Sequence, residues 1–423
     1  MLTASVLALT LLSGQTWTVS NDARADFSEI EDAIDDERVA LGDILLVSPG
    51  EYDGFTLDRK LTIVGQSGAS RPVVTDPVTV MASMKKGLLE SGGDFSFGFI
   101  EFREGVTVVG GNAPGQFDNC TFFGDDDHPT ALRIENAAEV MLSRCVLVGV
   151  DAEADDGFLG FKPAGHALEA ISSNVIFVDS QATGGHGAVG PRLPPHPGGS
   201  GLRLEGGSKV MMAGGQMLGG QAGGSASPCN LGPAGHGIWL VDSMADLRGF
   251  GANDDVVLPP LAACGPPAFS VFATGESSKI RLGGPIGLRG IQAPNGALEV
   301  TNLLQPYLQN VGDATPGSSN VLQLRGEPNR YAVFFGSLDP ESTFVFEVDQ
   351  PVGFDPYNLF FVAALVTSNQ PLAPVECPYD VPVNEPILLG LTARFQCVMQ
   401  DQPAQGMPTK ATASNPVDVV VRF

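Results

Sequence analysis

Four stretches of this chain begin alike and end alike. They read ALRIENAAEVMLSRCVLVG from Ala131, ALEAISSNVIFVDSQATGG from Ala167, GLRLEGGSKVMMAGGQMLGG from Gly201 and GIWLVDSMADLRGFGAN from Gly237. A weaker copy, AFSVFATGESSKIRLGG, starts at Ala268, so successive starts lie 36, 34, 36 and 31 residues apart. Each unit holds two or three strands of four or five residues, then a variable Gly/Pro-rich excursion. A unit of that size cannot bury its own apolar face, whereas stacked copies can. Equivalent strands would pair in parallel around one interior, about 4.8 Å apart. The alternation in Ala131-Leu-Arg-Ile-Glu135 sends Leu132 and Ile134 to one side, and small residues let the chain turn between strands.

Composition agrees with many short strands. Gly (53) and Pro (32) make up 85 of 423 residues, while 43% of the chain is hydrophobic, enough for a core. This excludes a helical bundle and a disordered chain. The net charge of -25 repels nucleic acid and anionic lipid. Leu2–Leu12 forms an eleven-residue apolar run, too short to span a bilayer, and no later stretch is long enough. It suits the h-region of a signal peptide over residues 1–14, with a first strand as the alternative.

The N-terminal part adds a helix. Asp26-Phe-Ser-Glu29 fits a capping box with Glu29 at N3, and Phe27, Ile30, Ala33 and Ile34 follow at helical spacing. Strands are expected at 44–47, 55–57 and 61–65. The opening from Trp17, WTVSNDARADFSEIEDAI, then GDILLVSPGEYDGF and LTIVG, resembles the first coils of secreted bacterial right-handed parallel β-helix proteins of the pectate-lyase-like superfamily. The resemblance implies an all-β fold: a right-handed parallel β-helix over residues 15–326, its end covered by a short helix. A small C-terminal β-sandwich-like domain over 327–423 completes the expected organisation, with strands at 331–336, 343–348, 359–366, 387–400 and 417–423.

Six cysteines fall into three sequence-local pairs, expected as the disulfides Cys120–Cys145, Cys229–Cys264 and Cys377–Cys397 of a secreted or cell-surface protein. Cys120 and Cys145 occupy matching places in DNCTFFG and SRCVLVG, one coil apart.

All five histidines, His128, His166, His186, His196 and His236, fall in the excursions between residues 125 and 237. Two acidic bursts lie there as well, and stacking should bring them to one edge. Asp125, Asp126, Asp127, Asp151 and Glu153 are candidate ligands for Ca²⁺, which takes about six to eight oxygens. In Ca²⁺-dependent pectate lyases, which the resemblance brings in, an Arg takes the proton, and Arg192 and Lys162 are the basic residues near in sequence. Neither a Trp-Ile-Asp-His nor an Arg-x-Pro-x-x-Arg segment is present, and Ile238-Trp-Leu-Val-Asp242 is a partial echo.

Polygalacturonase-type hydrolases of the same fold carry a Gly-His-Gly segment and an acidic pair. Gly185-His186-Gly187 and Asp155-Asp156 match them formally, and two carboxyls roughly 6.5 to 9.5 Å apart could act in inverting hydrolysis. Gly, however, fills 18 of the 54 residues from 184 to 237, so the His match carries little information. His166 and His236 stand at one phase, in PAGHALEA and PAGHGIWL, as turn-capping residues would. Met211, Met212 and Met217 are expected in the interior.

The favoured expectation is a non-catalytic surface protein that binds an extracellular polysaccharide or cell-surface glycan along its loop-lined side. The alternatives are a Ca²⁺-dependent polysaccharide lyase, for which Asp151, Asp155, Asp156 and Arg192 would matter, or a glycoside hydrolase using carboxylates alone; the candidate catalytic residues are Asp155, Asp156, His186 and Arg192.

Overall fold

The computed structural model describes residues 15–66, 70–81, 95–111, 114–153, 162–188, 196–225, 230–248, 256–258, 268–283, 287–288, 290–293, 297–301, 306–312, 314–315, 317–337, 359–369, 373–381, 392–400, 411–414 and 417–420. The chain winds through three parallel sheets in turn. Eleven strands stack on the first face, from Thr16–Val19 through Glu139–Ser143 and Asn174–Val178 to Ala297–Thr301. Nine stack on the second, from Glu51–Tyr52 to Gly287–Leu288, and nine on the third, from Thr56–Leu57 to Ile291–Gln292. This is the expected parallel β-helix, and Leu132 and Ile134 point inward and are fully buried. Among the described residues no helix is long and apolar enough to cross a membrane.

The middle coils bend sharply after the first and third faces, and there the backbone passes through the left-handed region. After the first face the residues are Phe99, Asn119, Arg144, Asp179 and Gly214; after the third they are Gly110, Asn136, Ser172, Gly206, Asp242 and Gly275, all with positive φ. Asn, Asp and Gly tolerate that conformation best. Arg144 and Phe99 do not, and each is held by a partner. Arg144 forms a bidentate pair with buried Asp118, while Arg71 lies 4.5 Å over the Phe99 ring.

Inside these corners, buried serines satisfy backbone groups that the bend leaves open. The Ser173 hydroxyl donates to Ile171 O at 2.8 Å and accepts the Ala137 N–H at 3.0 Å. Ser208 repeats this one coil on, accepting from Ser173 N at 3.0 Å and donating to Ala170 O at 3.0 Å. Between the corners the interior is filled with stacked rings, Phe97 on Phe117 and Phe102 on Phe122, both at 5.2 Å.

The helix Ile30–Asp35 turns Ile30, Ala33 and Ile34 onto the first two strands and covers the end of the solenoid. It starts later than the capping box implies, because Phe27 bridges to Val19 and holds its segment extended. Glu29 is therefore the N-cap, with no side-chain cap bond. The Asp26 carboxylate instead accepts the Thr18 N–H and hydroxyl, both at 2.8 Å, which lowers its pKa.

The coils end earlier than the alternating sequence suggests. Tyr307–Val311 leaves the solenoid and pairs antiparallel with Ser319–Arg325, which pairs antiparallel with Val375–Asp380 on its other side, so the boundary falls between Thr301 and Pro306 rather than at 326. Tyr331–Ser337, Leu359–Val366, Thr392–Gln400, Ala411–Ala413 and Val417–Val420 form a second sheet. Leu308, Leu322, Phe334, Phe395 and Val417 from the two sheets share one core, as in a small sandwich. The expected strand at 343–348 lies outside the described residues.

This domain folds back onto the solenoid. Arg394, 1% exposed, reaches Glu139 at 2.9 Å and lies 3.9 Å from the Met141 sulfur, both on the first face. Met141, Ile176, Val178 and Ala213 point outward from that face yet form a buried cluster. Met211 packs against them, so its expected interior position is corrected, whereas Met212 and Met217 do fill the interior.

The cysteine expectations change as well. Cys120, Cys145, Cys377 and Cys397 are buried free thiols, and Cys229 and Cys264 lie outside the described residues. In-register parallel strands keep two Cβ atoms near the strand spacing of about 4.8 Å. A disulfide needs them nearer 3.8 Å. Cys145 instead directs its Sγ to Phe117 O and Ser143 O, and burial raises its pKa. Burial likewise pushes up the Cys377 and Cys397 thiols, which pack as small hydrophobes.

Candidate functional site: the third face and its glycine-packed border

The excursions that carry the histidines, between residues 124 and 237, leave the solenoid between the second and third faces. Their roots are not loose. Gly165 N–H donates to Val150 O at 2.8 Å, Gly185 to Gly165 at 2.9 Å, Gly199 to Gly185 at 2.8 Å, Gly220 to Gly199 at 2.7 Å and Gly235 to Gly220 at 2.9 Å. The bonds alternate between the two legs of one excursion (Gly165 to Val150, Gly199 to Gly185, Gly235 to Gly220) and the legs of neighbouring excursions (Gly185 to Gly165, Gly220 to Gly199), forming a backbone ladder beside the sheets. Only glycine fits, since a Cβ on Gly165, Gly185, Gly199, Gly220 or Gly235 would collide with the neighbouring carbonyl.

Two histidines fasten this ladder to the third face. Nδ1 of His166 accepts the Ser200 N–H at 2.9 Å, and Nδ1 of His236 accepts the Phe269 N–H at 3.2 Å. Both imidazoles hold the turn-capping role that their shared sequence phase suggested. Burial, aided at His166 by the Arg203 charge, lowers each pKa to about 4. The rings are neutral at pH 7, as acceptors of an N–H must be.

Beside them runs one column of outward side chains. The strand register aligns Thr56, Thr79, Thr107, Arg133, Glu169, Arg203, Trp239, Phe272 and Gln292 on successive coils. Eight strand spacings make the column roughly 38 Å long. Its lower end is aromatic. His236 stacks on Phe272 at 4.5 Å and 22°, and Phe269 lies 6.0 Å from both rings. Trp239 stands edge-on to His166 and His236 at 6.4 and 6.1 Å, with Arg203 4.9 Å over its ring. Trp239, Phe269 and Phe272 remain partly exposed. The indole N–H is shielded and finds no acceptor among the described residues.

Above the aromatic end sits a charge network. Glu169, 7% exposed, takes Arg133 at 2.9 Å and Arg203 at 3.5 Å. Arg133 also pairs with Glu135 at 2.5 Å, and Arg203 Nε donates to Glu205 at 2.8 Å.

The described members of the acidic bursts follow stacked second-face strands, where Asp125, Asp126 and Asp151 serve turns and local pairs. Asp125 accepts the His128 N–H at 2.5 Å and lies 3.3 Å from its ring Nδ1. Asp126 pairs with Lys162, whose pKa that carboxylate raises. Asp151 accepts the His186 N–H at 2.6 Å, and His186 Nδ1 accepts the Gln221 N–H at 2.9 Å. Asp127 and Glu153 are exposed. Among the described residues no three His, Cys, Asp or Glu side chains gather as a metal site. Asp155, Asp156 and Arg192 lie outside the described residues, so of the four candidate catalytic residues only His186 is placed here.

The sequence singles out Trp239 only within the partial echo Ile238–Asp242 and gives no sign of Phe272, because excursions of unequal length hide their alignment. The signal was the second residue of each third-face strand from Val78–Met81 onward, counted from its inward leucine, isoleucine or valine.

No family model and no curated protein matches this chain. A crystal structure of pectin methylesterase in complex with a hexasaccharide is similar over 63% of this chain and 80% of that one, with a TM-score of 0.26 and 13% sequence identity. The architecture is established by the stacked parallel coils themselves.

Proposed function

We propose that the chain is a carbohydrate-binding β-helix whose third face receives a polysaccharide. The observation that carries this reading is the aromatic end of the outward column, Trp239 and Phe272 with His236 and Phe269 beside them. Aromatic rings offer apolar area for the C–H face of a sugar at little cost in side-chain freedom. The carboxylates above them supply hydrogen-bond acceptors for hydroxyl groups. The glycine ladder supports the border of this face with hydrogen-bonded backbone, so that edge is ordered before a ligand arrives.

The test is retardation of the full chain on native gels cast with a panel of polysaccharides, alongside Trp239→Ala/Phe272→Ala. Retardation of the parent by at least one polymer, weakened in the double variant, is the expected result. An unaffected double variant would remove the third face from the reading. New reducing ends or unsaturated sugar products would replace binding alone with the hydrolase or Ca²⁺-dependent lyase chemistry of Asp155, Asp156, His186 and Arg192.

A further inference from the structure

Resting on that reading, we infer that the third face selects an uncharged glycan over an acidic one. The inference follows from where the guanidinium donors go. An anionic sugar is recognised by Arg or Lys groups free to meet its carboxylates, most tightly in a bidentate fork. The column contains two such groups, and both are already engaged. Arg133 is held between Glu135 and Glu169, and Arg203 between Glu205 and Glu169. Two guanidinium groups against three carboxylates leave this network with one net negative charge, so its field opposes a polyuronate.

The rest of the column adds no cation. Thr56, Thr79 and Thr107 lie on one side of the network, and Trp239, Phe272 and Gln292 on the other. The flanking imidazoles of His166 and His236 are neutral at pH 7. At the border, the Lys162 ammonium is paired with Asp126. The chain as a whole carries a net charge of -25, which adds a long-range penalty for an anionic polymer. A neutral glycan meets none of these penalties. Its apolar face can rest on the aromatic end, while its hydroxyls donate to Glu135 and Glu205, whose acceptor capacity exceeds what one guanidinium uses.

The experiment compares binding of the full chain to soluble neutral polymers (galactomannan, mixed-linkage β-glucan, arabinoxylan) and acidic ones (polygalacturonate, alginate) at pH 7 and two salt concentrations. Retention by a neutral polymer, insensitive to salt and stronger than by either acidic polymer, is expected. Trp239→Ala/Phe272→Ala should weaken it by about tenfold or more, equivalent to about 1.4 kcal/mol. Glu135→Gln/Glu205→Gln, which leaves Glu169 as the single carboxylate between both guanidinium groups and turns the network net positive, should raise retention by polygalacturonate. Retention by an acidic polymer as strong as or stronger than by any neutral one overturns this inference and leaves the binding reading standing. Retention by none of them overturns both.

Discussion

Replacing Gly199 with alanine should open the glycine ladder from its middle. The new Cβ would lie 2.6 Å from the Gly165 carbonyl carbon, closer still to its oxygen, and 3.1 Å from the Gly185 nitrogen. These are backbone atoms, so no side chain can swing aside. Relief requires the two legs to part, which breaks the bonds Gly199 makes to Gly185 (2.8 Å) and Gly220 (2.7 Å). Overpacking costs about 1–3 kcal/mol. Two lost hydrogen bonds add about 1 kcal/mol each, for a total of about 3–5 kcal/mol. Gly207→Ala is the matched control: its Cβ meets nothing within 4 Å, and only the φ of +82° opposes it. That conformation costs roughly 1–2 kcal/mol. Hydrogen exchange by mass spectrometry suits the question, since a border can open without global unfolding. Peptides containing Gly185, Gly199 and Gly220 should exchange faster in Gly199→Ala by a factor of hundreds or more, as about 3–5 kcal/mol implies, and remain protected in Gly207→Ala. Equal protection in the two variants would refute the ladder as a packing element.

Three further outcomes are expected. His166 and His236 are neutral when folded, with pKa values of about 4 against an ordinary value of 6.5. The stability they contribute is therefore complete above pH 6.5 and is lost as pH falls from 6.5 towards 4. His166→Asn/His236→Asn should flatten a melting profile across that window, and an unchanged profile would remove the histidines as its cause. Arg394→Ala leaves Glu139 without its buried partner and should cost about 3–5 kcal/mol in denaturant unfolding. Arg394→Met/Glu139→Leu should recover most of that loss, whereas equal losses would argue against a docked pair. Unfolded but unreduced protein should take up alkylating reagent at Cys120, Cys145, Cys377 and Cys397, read by peptide mass. Protection of Cys120 and Cys145 together would mean that they are bonded after all.

Much of the fold was legible because stacking repeats a constraint once per coil. Inward residues such as Leu132, Leu168, Leu202 and Ile238 recur at one phase, and so do the left-handed corner residues Asn136, Ser172, Gly206 and Asp242. The same logic placed His166 and His236 correctly. It placed Cys120 beside Cys145 but could not supply the bond, since adjacency in register does not bring two Cβ atoms close enough. Alternation alone could not separate the strand at 319–325 from another coil, because antiparallel and parallel strands share the same period. The glycine ladder was hidden for a different reason. Its partners come from opposite legs of one excursion or from neighbouring excursions, and its glycines carry no side chains, so Gly199 and Gly235 look in sequence like any flexible glycine. Arg133, Glu169, Arg203 and Trp239 were equally scattered until the register aligned them.

The docking of Arg394 on Glu139 has a kinetic side. Coils can be added one after another, each closing a loop of some 35 residues onto its predecessor, as Glu169 follows Arg133 by 36 positions. The Glu139–Arg394 contact closes 255 positions at once. Closure entropy grows only slowly with length, but contacts this distant in sequence dominate the folding time of β-proteins. A chain emerging from its N-terminus would therefore complete its middle coils with Met141 and Ile176 still uncovered. That sticky strip would wait for almost the last strand to arrive. The interval is when this protein is most exposed to self-association, and a chain cut short before Arg394 would never leave it.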